Sequence, residues 1–175
     1  MFLQLRKLYD WVLNWAETPY GPIALFMLSF AEASFFPIPP DVLLIAMALG
    51  SRVNAFKYAV ICSVGSILGA MLGYEIGYYL WRDRNGYTAI AHFFFNYIPG
   101  FTTCMFENMQ SLYEKYGFSI IFTAGFTPIP FKIFTISSGA FNMSITKFLF
   151  ASIVSRSARF FLVSLLIWKY GKAIN

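Results

Sequence analysis

The sequence predicts an all-α integral membrane protein: an inverted repeat of two re-entrant helical hairpins, each followed by a transmembrane helix, with interfacial amphipathic helices in addition. Three observations indicate this fold class. The 175 residues are 58% hydrophobic and 12% charged, which is about half the charge of an ordinary soluble domain. Two apolar stretches, residues 58–80 and 148–168, are each long enough to cross roughly 30 Å of hydrocarbon. A proline-containing pattern also occurs twice in the same order. We treat residues 1–175 as one membrane domain.

The composition excludes several other classes of protein. The net charge of +5 is spread along the chain without a basic run, so we expect no nucleic-acid partner. Cys62 and Cys104 lie in different segments without a metal-ligand spacing. The chain has a single histidine and no phosphate-cradling or hydrolytic motif. We therefore predict that the protein is not an enzyme and that it uses no metal or cofactor.

The first predicted element is an amphipathic helix over residues 1–17 that lies in the membrane interface. Its apolar side chains recur every three to four positions, at Phe2, Leu5, Leu8, Val12 and Trp15. Charged and polar residues occupy the opposite face, which is typical of a helix lying parallel to a membrane surface.

Two similar units follow, residues 20–81 and 116–172, joined by a connector over residues 82–114. The segment "YGPIALFMLSF" returns as "YGFSIIFTAGF", and "FPIPPD" returns as "TPIPFK". A glycine and then a lysine–aromatic pair follow in both units, before each long apolar stretch. The connector is predicted to be a loop with an interfacial helix.

The repeated prolines predict a break in a helix at membrane depth, because proline removes a backbone donor and clashes with the preceding turn. The prolines of the two elbows are Pro37, Pro39 and Pro40 in the first unit and Pro128 and Pro130 in the second. Each unit then has one true crossing, so the second unit is inverted relative to the first. Non-helical backbone inside a membrane must be covered by protein or water. We therefore expect the two elbows to meet around a shared polar chamber, as in transporters.

Charged residues near the elbows are the candidate site. Glu32 is interpreted as a proton- or cation-binding carboxylate, with a structural ion pair or an interfacial position as the alternative. Asp41 precedes an apolar helix and fits either a helix N-cap or a lining position in the chamber. Lys132 occupies the matching place in the second elbow, where a cation opposes the helix dipole. It therefore needs a negative partner, either Asp41 or a bound anion such as phosphate.

Arg156 and Arg159 lie near the middle of the last apolar stretch. At about 100° per residue they share one face with Ser152 and Ser155, which predicts a polar stripe directed into the protein. A guanidinium suits phosphate or carboxylate. The alternative is an acidic partner in another helix.

The first long stretch carries a glycine at every fourth position: Gly65, Gly69, Gly73 and Gly77. We interpret this glycine seam as a helix-packing surface. The pattern leaves open whether the seam packs within one chain or between the chains of a homo-oligomer.

The segments "EASFFPIPPD", "GSILGAMLGYEIGYYL", "FTPIPFKIFTISSGAFNM" and "SRSARFF" resemble the DedA family, also called the SNARE-associated or VTT-domain family, and its small bacterial YqaA-like members in particular. The resemblance implies an inverted-repeat protein of the bacterial inner membrane that moves lipids between leaflets. It also implies that Glu32 and Asp41 are the family's hairpin acids. Many members carry two basic residues in the second hairpin, whereas this chain has Lys132 at one position and Phe126 at the other.

The leading hypothesis is a transporter or flippase for a phosphate-bearing lipid, such as a polyprenyl phosphate or a phospholipid, with proton coupling through the acids. One alternative is a proton-coupled antiporter for a small ion or solute. A second alternative is a membrane assembly or scaffold protein whose charges only hold helices together.

Overall fold

The computed structural model describes residues 18–34, 39–83, 86–97, 102–127 and 131–171. The predicted interfacial helix at 1–17 and the elbow residues Pro37, Pro128 and Pro130 lie outside this described part. The helices and strands, in chain order, are α1 (Gly21–Ser34), α2 (Asp41–Gly50), a 3₁₀ turn (Arg52–Asn54), α3 (Ala55–Trp81), β1 (Arg82–Asp83), β2 (Gly86–Tyr87), α4 (Ala89–Tyr97), α5 (Thr103–Phe126), α6 (Phe131–Ala140) and α7 (Ile145–Tyr170).

Helices α3 and α7 contain the two predicted apolar stretches, and both are long and apolar enough to cross a membrane. They pack against each other in opposite directions. Ala55 at the start of α3 shares a buried cluster with Ile167 near the end of α7. At the other end, the ring of Tyr74 lies 5.1 Å from the ring of Phe148. This antiparallel pair is the frame on which the shorter helices lie.

Helices α1 and α2 pack on one half of the α3–α7 pair. Helix α1 runs in the same direction as α3, with Phe26 against Gly65 and Phe30 against Gly69. Helix α2 returns in the opposite direction, so that its Ala48 joins the buried cluster at the start of α3. The end of α1 therefore lies beside the middle of α3, with Phe30 against Gly69 and Ala33 near Gly73.

Helices α5 and α6 make the matching arrangement on the other half. Near the end of α5, Gly125 lies against Ser155 in the middle of α7. Helix α6 then leads away from the middle, and its Ala140 shares a buried cluster with Trp81 at the end of α3. The end of α5 and the start of α6 thus also lie near the middle of the pair, and the outer end of α6 lies at the opposite end of α3 from α2.

The connector is more ordered than a loop with one helix. Strands β1 and β2 form a short antiparallel ladder, a small departure from an all-α fold. Helix α5 then runs without a break from Thr103 to Phe126, across the unit boundary predicted at residues 114–116. The side chain of Thr102 caps this helix by accepting a hydrogen bond from the amide of Met105 at 3.2 Å, and no proline interrupts the sequence after it until Pro128.

The glycine seam packs within the chain. Its first half receives α1, and its second half receives α6, with Gly73 against Thr135 and Gly77 against Ile136. Thr135 also donates from its hydroxyl to the carbonyl of Ala33 at 3.1 Å, so α1 and α6 meet where the two halves of the seam join. The seam therefore contacts the chain's own helices at all four glycines.

Candidate functional site

The predicted polar stripe of α7 is directed into the protein, as the sequence indicates. Ser152, Ser155 and Arg156 are buried, and Arg159 is 20% exposed. The stripe lies near the middle of α7, beside the end of α1 and the start of α2, which hold Glu32 and Asp41. Each arginine has an acidic partner in another helix, which accounts for its position in the middle of an apolar stretch.

Arg156 is held on all sides and is only 2% exposed. Its Nη2 forms an ion pair with Oε2 of Glu32, near the end of α1. Its Nε donates to the hydroxyl of Ser66 in α3 at 2.6 Å. The guanidinium lies 4.6 Å from the ring centre of Phe131 and 5.1 Å from that of Phe160. These contacts fix one arginine between α1, α3 and the start of α6.

Arg159 makes a more open set of contacts. Its Nε and Nη2 donate to the two carboxylate oxygens of Asp41, at 3.2 Å and 2.8 Å. Its Nη1 donates to the backbone carbonyl of Thr127, just after α5, at 2.9 Å. Asp41 is 17% exposed, so this pair is partly accessible, whereas Arg156 is enclosed.

The N-cap interpretation of Asp41 is wrong. Pro40 occupies the N-cap position of α2, and Asp41 is the first residue of the helix. The Asp41 carboxylate instead binds Arg159, because a bidentate charged contact is stronger than a single hydrogen bond to a helix amide. Its position in the first turn still favours the helix dipole.

Asp41, one of the two partners expected for Lys132, forms an ion pair with Arg159. Lys132 is the second residue of α6 and is half-buried, next to the Phe131 ring that stacks on Arg156. Its backbone carbonyl accepts a hydrogen bond from Thr135 at 2.9 Å. The sequence alone does not indicate whether Asp41 pairs with Lys132 or with Arg159, because the pairing depends on how α7 packs against α2.

Arg159 also lies close to Phe126, the residue that stands where many family members are expected to carry a basic residue in the second hairpin. Phe126 ends α5, and the carbonyl of the next residue, Thr127, accepts from Arg159. A guanidinium from α7 therefore supplies positive charge at the end of α5, where such a charge is favourable.

The two arginines join the residues on either side of both elbows. Glu32 and Asp41 precede and follow the first elbow, and Thr127 and Phe131 precede and follow the second. Pro40, the N-cap of α2, is fully buried, and Pro39 is exposed. The described residues contain no cluster of side chains that could hold a metal ion. Arg159 presents two N–H donors to one carboxylate, a geometry that also suits a phosphate.

Sequence reasoning missed Ser66, the Thr127 carbonyl and the two aromatic rings around Arg156. Ser66 could have been found from the repeat. Lys57 and Lys147 are corresponding residues of the two units, and the same spacing of 90 residues separates Ser66 from Arg156. The internal repeat therefore places these two residues opposite each other at the centre of the molecule.

Comparison with known proteins assigns the chain to a family. The family model of the VTT domain matches residues 38–169. A protein of Haemophilus influenzae, named as uncharacterized, is 36% identical over 163 residues, covering 90% of this chain and 77% of its own. A homologue in Histophilus somni is 38% identical over 165 residues, covering 94% and 82%.

More distant similarity extends to the archaea. An uncharacterized protein of Methanocaldococcus jannaschii is 23% identical over 163 residues, which is 90% of this chain and 89% of that protein. No solved structure matches the chain. The family is one of membrane proteins, in agreement with the two helices that can span a membrane. The chain belongs to the VTT-domain family, also called the DedA family.

Proposed function

We propose that this protein moves a phosphate-bearing lipid, a polyprenyl phosphate or a phospholipid, between the leaflets of the bacterial inner membrane. The observation that carries the proposal is the partly exposed ion pair Arg159–Asp41, in which Arg159 lies near the middle of α7. A guanidinium that already binds a carboxylate through two nitrogens has the geometry to bind a phosphate in the same way. The bacterial relatives support the location in a bacterial membrane.

In this proposal the two arginines have different tasks. Arg156 is enclosed by Glu32, Ser66 and two aromatic rings, so its task is to hold α1, α3 and the start of α6 together. Arg159 exchanges its partner: the lipid phosphate replaces Asp41 as the headgroup passes the middle of the membrane, while the acyl or prenyl tail stays in lipid. Protonation of Asp41 would remove the competing charge and couple transport to a proton.

The packing of the short helices supports two re-entrant hairpins of opposite orientation. The end of α1 lies near the middle of the α3–α7 pair, as do the end of α5 and the start of α6, and their outer ends lie at opposite ends of that pair. Backbone without helical hydrogen bonds at that depth requires protein or water around it, and the four charges of the site supply a polar environment. The same geometry brings a lipid headgroup to one site from either leaflet.

The test is the rate at which purified protein in liposomes moves a fluorescent phospholipid between leaflets. We expect Arg159→Gln to slow translocation at least tenfold, since a charge-assisted contact is worth about 1.5–3 kcal/mol. Lys169→Gln is the matched control, because Lys169 is an exposed cation on the last turn of the same helix. A wild-type rate for Arg159→Gln would contradict the proposal.

The scaffold alternative has a specific observation in its favour, because both ion pairs join different helices. The double variant Asp41→Asn/Arg159→Gln separates the two functions, since it leaves no charge unpaired. A scaffold would keep its function in this variant, whereas a lipid carrier would remain slow without the guanidinium. The antiporter alternative predicts instead that proton flux in lipid-matched liposomes depends on a soluble solute and that lipid movement is absent.

A further inference from the structure

A separate polar cavity lies at the start of α7, away from the paired arginines. Its volume is about 600 Å³, within the range of sites that bind small ligands. Tyr74 of α3, Tyr113 and Glu114 of α5, Asn142 of the turn before α7, and Lys147 of α7 are among its lining residues. Three helices and a turn therefore contribute to one cavity.

The walls of this cavity are fixed by contacts that do not involve its charged groups. The hydroxyl of Tyr74 donates to the carbonyl of Met143 at 2.6 Å, which ties α3 to the turn before α7. Within that turn Asn142 adopts a left-handed conformation with φ of 54°. Tyr113 is buried, and its ring lies 4.8 Å from the ring of Phe141. These contacts connect α3, α5 and the turn before α7 around the cavity.

Glu114 and Lys147 give the cavity two opposite charges that do not neutralise each other. Both side chains are exposed, and neither has an ion-pair partner among the residues that the structure describes. Two opposite charges that share a cavity without pairing can each bind the complementary end of one ligand. A ligand with a single charge would leave the other group without a partner.

We propose that this cavity binds a small zwitterion that carries a phosphate and an ammonium group, with the phosphate at Lys147 and the ammonium at Glu114. Helix α7 begins at Ile145, so the cavity lies at the end of a candidate membrane span, at the level of lipid headgroups. The zwitterionic headgroup of a membrane lipid and a soluble phosphate ester share this chemistry. Only the assignment of the ligand to a lipid depends on the proposed function.

The experiment is calorimetric titration of the purified full-length protein with glycerophosphoethanolamine, a zwitterion, and with glycerophosphoglycerol, an anion of similar size. We expect the zwitterion to bind at least tenfold more tightly. Lys147→Gln should weaken binding of both compounds about tenfold. Glu114→Gln should weaken binding of the zwitterion alone and so remove the preference.

Lys115→Gln is the matched control, since Lys115 is an exposed neighbour of Glu114 whose ammonium lies 5.1 Å from the ring centre of Tyr116 rather than at the cavity. The proposal is overturned if both compounds bind equally to the wild-type protein, or if Lys115→Gln has the same effect as the cavity variants. Titration with dihexanoyl phosphatidylethanolamine shows whether the ligand is a lipid headgroup or a soluble ester. Tighter binding of this short-chain lipid than of glycerophosphoethanolamine indicates a lipid, and equal binding indicates a soluble ester. Repeating the titration with the Arg159→Gln variant separates this cavity from the central site. The variant should still bind the zwitterion, because Arg159 does not line the cavity.

Discussion

Arg156 and Arg159 lie three positions apart on α7 but have different surroundings. Arg156 is enclosed by a carboxylate, a hydroxyl and two aromatic rings, whereas Arg159 is 20% exposed beside Asp41. An enclosed ion pair contributes little when both partners are present, but removing one partner leaves an uncompensated charge. The residue most important for stability is therefore different from the residue that is available to a ligand.

We expect Arg156→Met to lower the free energy of unfolding by about 3–5 kcal/mol, because Glu32 then loses its ion-pair partner in the interior. The double variant Glu32→Gln/Arg156→Met should recover most of this loss. Thermal unfolding of the purified protein in detergent measures both effects. Arg159→Met serves as the control and should cost about 1 kcal/mol, as expected for a more exposed pair. Equal losses for the two single variants would contradict this assignment.

At the scale of helices, close backbone contact along α3 determines the packing. A Cβ atom at Gly65 would lie 2.7 Å from the carbonyl oxygen of Phe26 in α1, and one at Gly77 would overlap the backbone of Ile136 in α6. Gly139 of α6 meets the backbone of α3 in the same manner. Helix α3 thus packs against both α1 and α6 along its row of glycines. Small residues that allow such close approach are common at helix contacts in membrane proteins.

Gly77→Ala should lower the free energy of unfolding by about 1–3 kcal/mol, because the added methyl group overlaps backbone atoms that cannot rotate away. Gly50→Ala is the matched control, since nothing lies within 4 Å of a Cβ atom at that position. Its effect should remain within about 0.5 kcal/mol. Unfolding temperatures in detergent would show the difference, and similar losses at the two positions would rule out the packing role of the seam.

The positions of the long helices were easier to predict from the sequence than the contacts between distant residues. The stretches at residues 58–80 and 148–168 lie inside α3 and α7, because a long apolar run is a local signal. The inward polar stripe of α7 followed from helical periodicity. The pairs Glu32–Arg156 and Asp41–Arg159 join residues 124 and 118 positions apart, and no local pattern indicates which acid meets which cation. The N-cap prediction for Asp41 failed for the same reason, since a local rule was overridden by a distant arginine.

At the scale of the whole molecule, the contacts indicate two halves that approach one centre from opposite ends. The start of α1 and the end of α2 lie near the start of α3 and the end of α7. The start of α5 and the end of α6 lie near the end of α3 and the start of α7. If α3 and α7 cross a membrane, each hairpin must enter and leave through the same face, and the two hairpins must use different faces.

Labelling of cysteines by a membrane-impermeant thiol reagent in oriented vesicles tests this topology. Cys104, which is exposed, is the native probe for the face of the second hairpin, whereas Cys62 is buried. In a Cys104→Ser background, we expect Ser144→Cys to be labelled from the same face as native Cys104, and Thr18→Cys, Asn54→Cys and Lys169→Cys from the opposite face. Thr18 and Asn54 flank α1 and α2, so labelling of these two positions from different faces would mean that the first hairpin crosses the membrane. The central charges would then no longer lie at a turn reached from both leaflets, and the proposed path of a lipid headgroup would be lost.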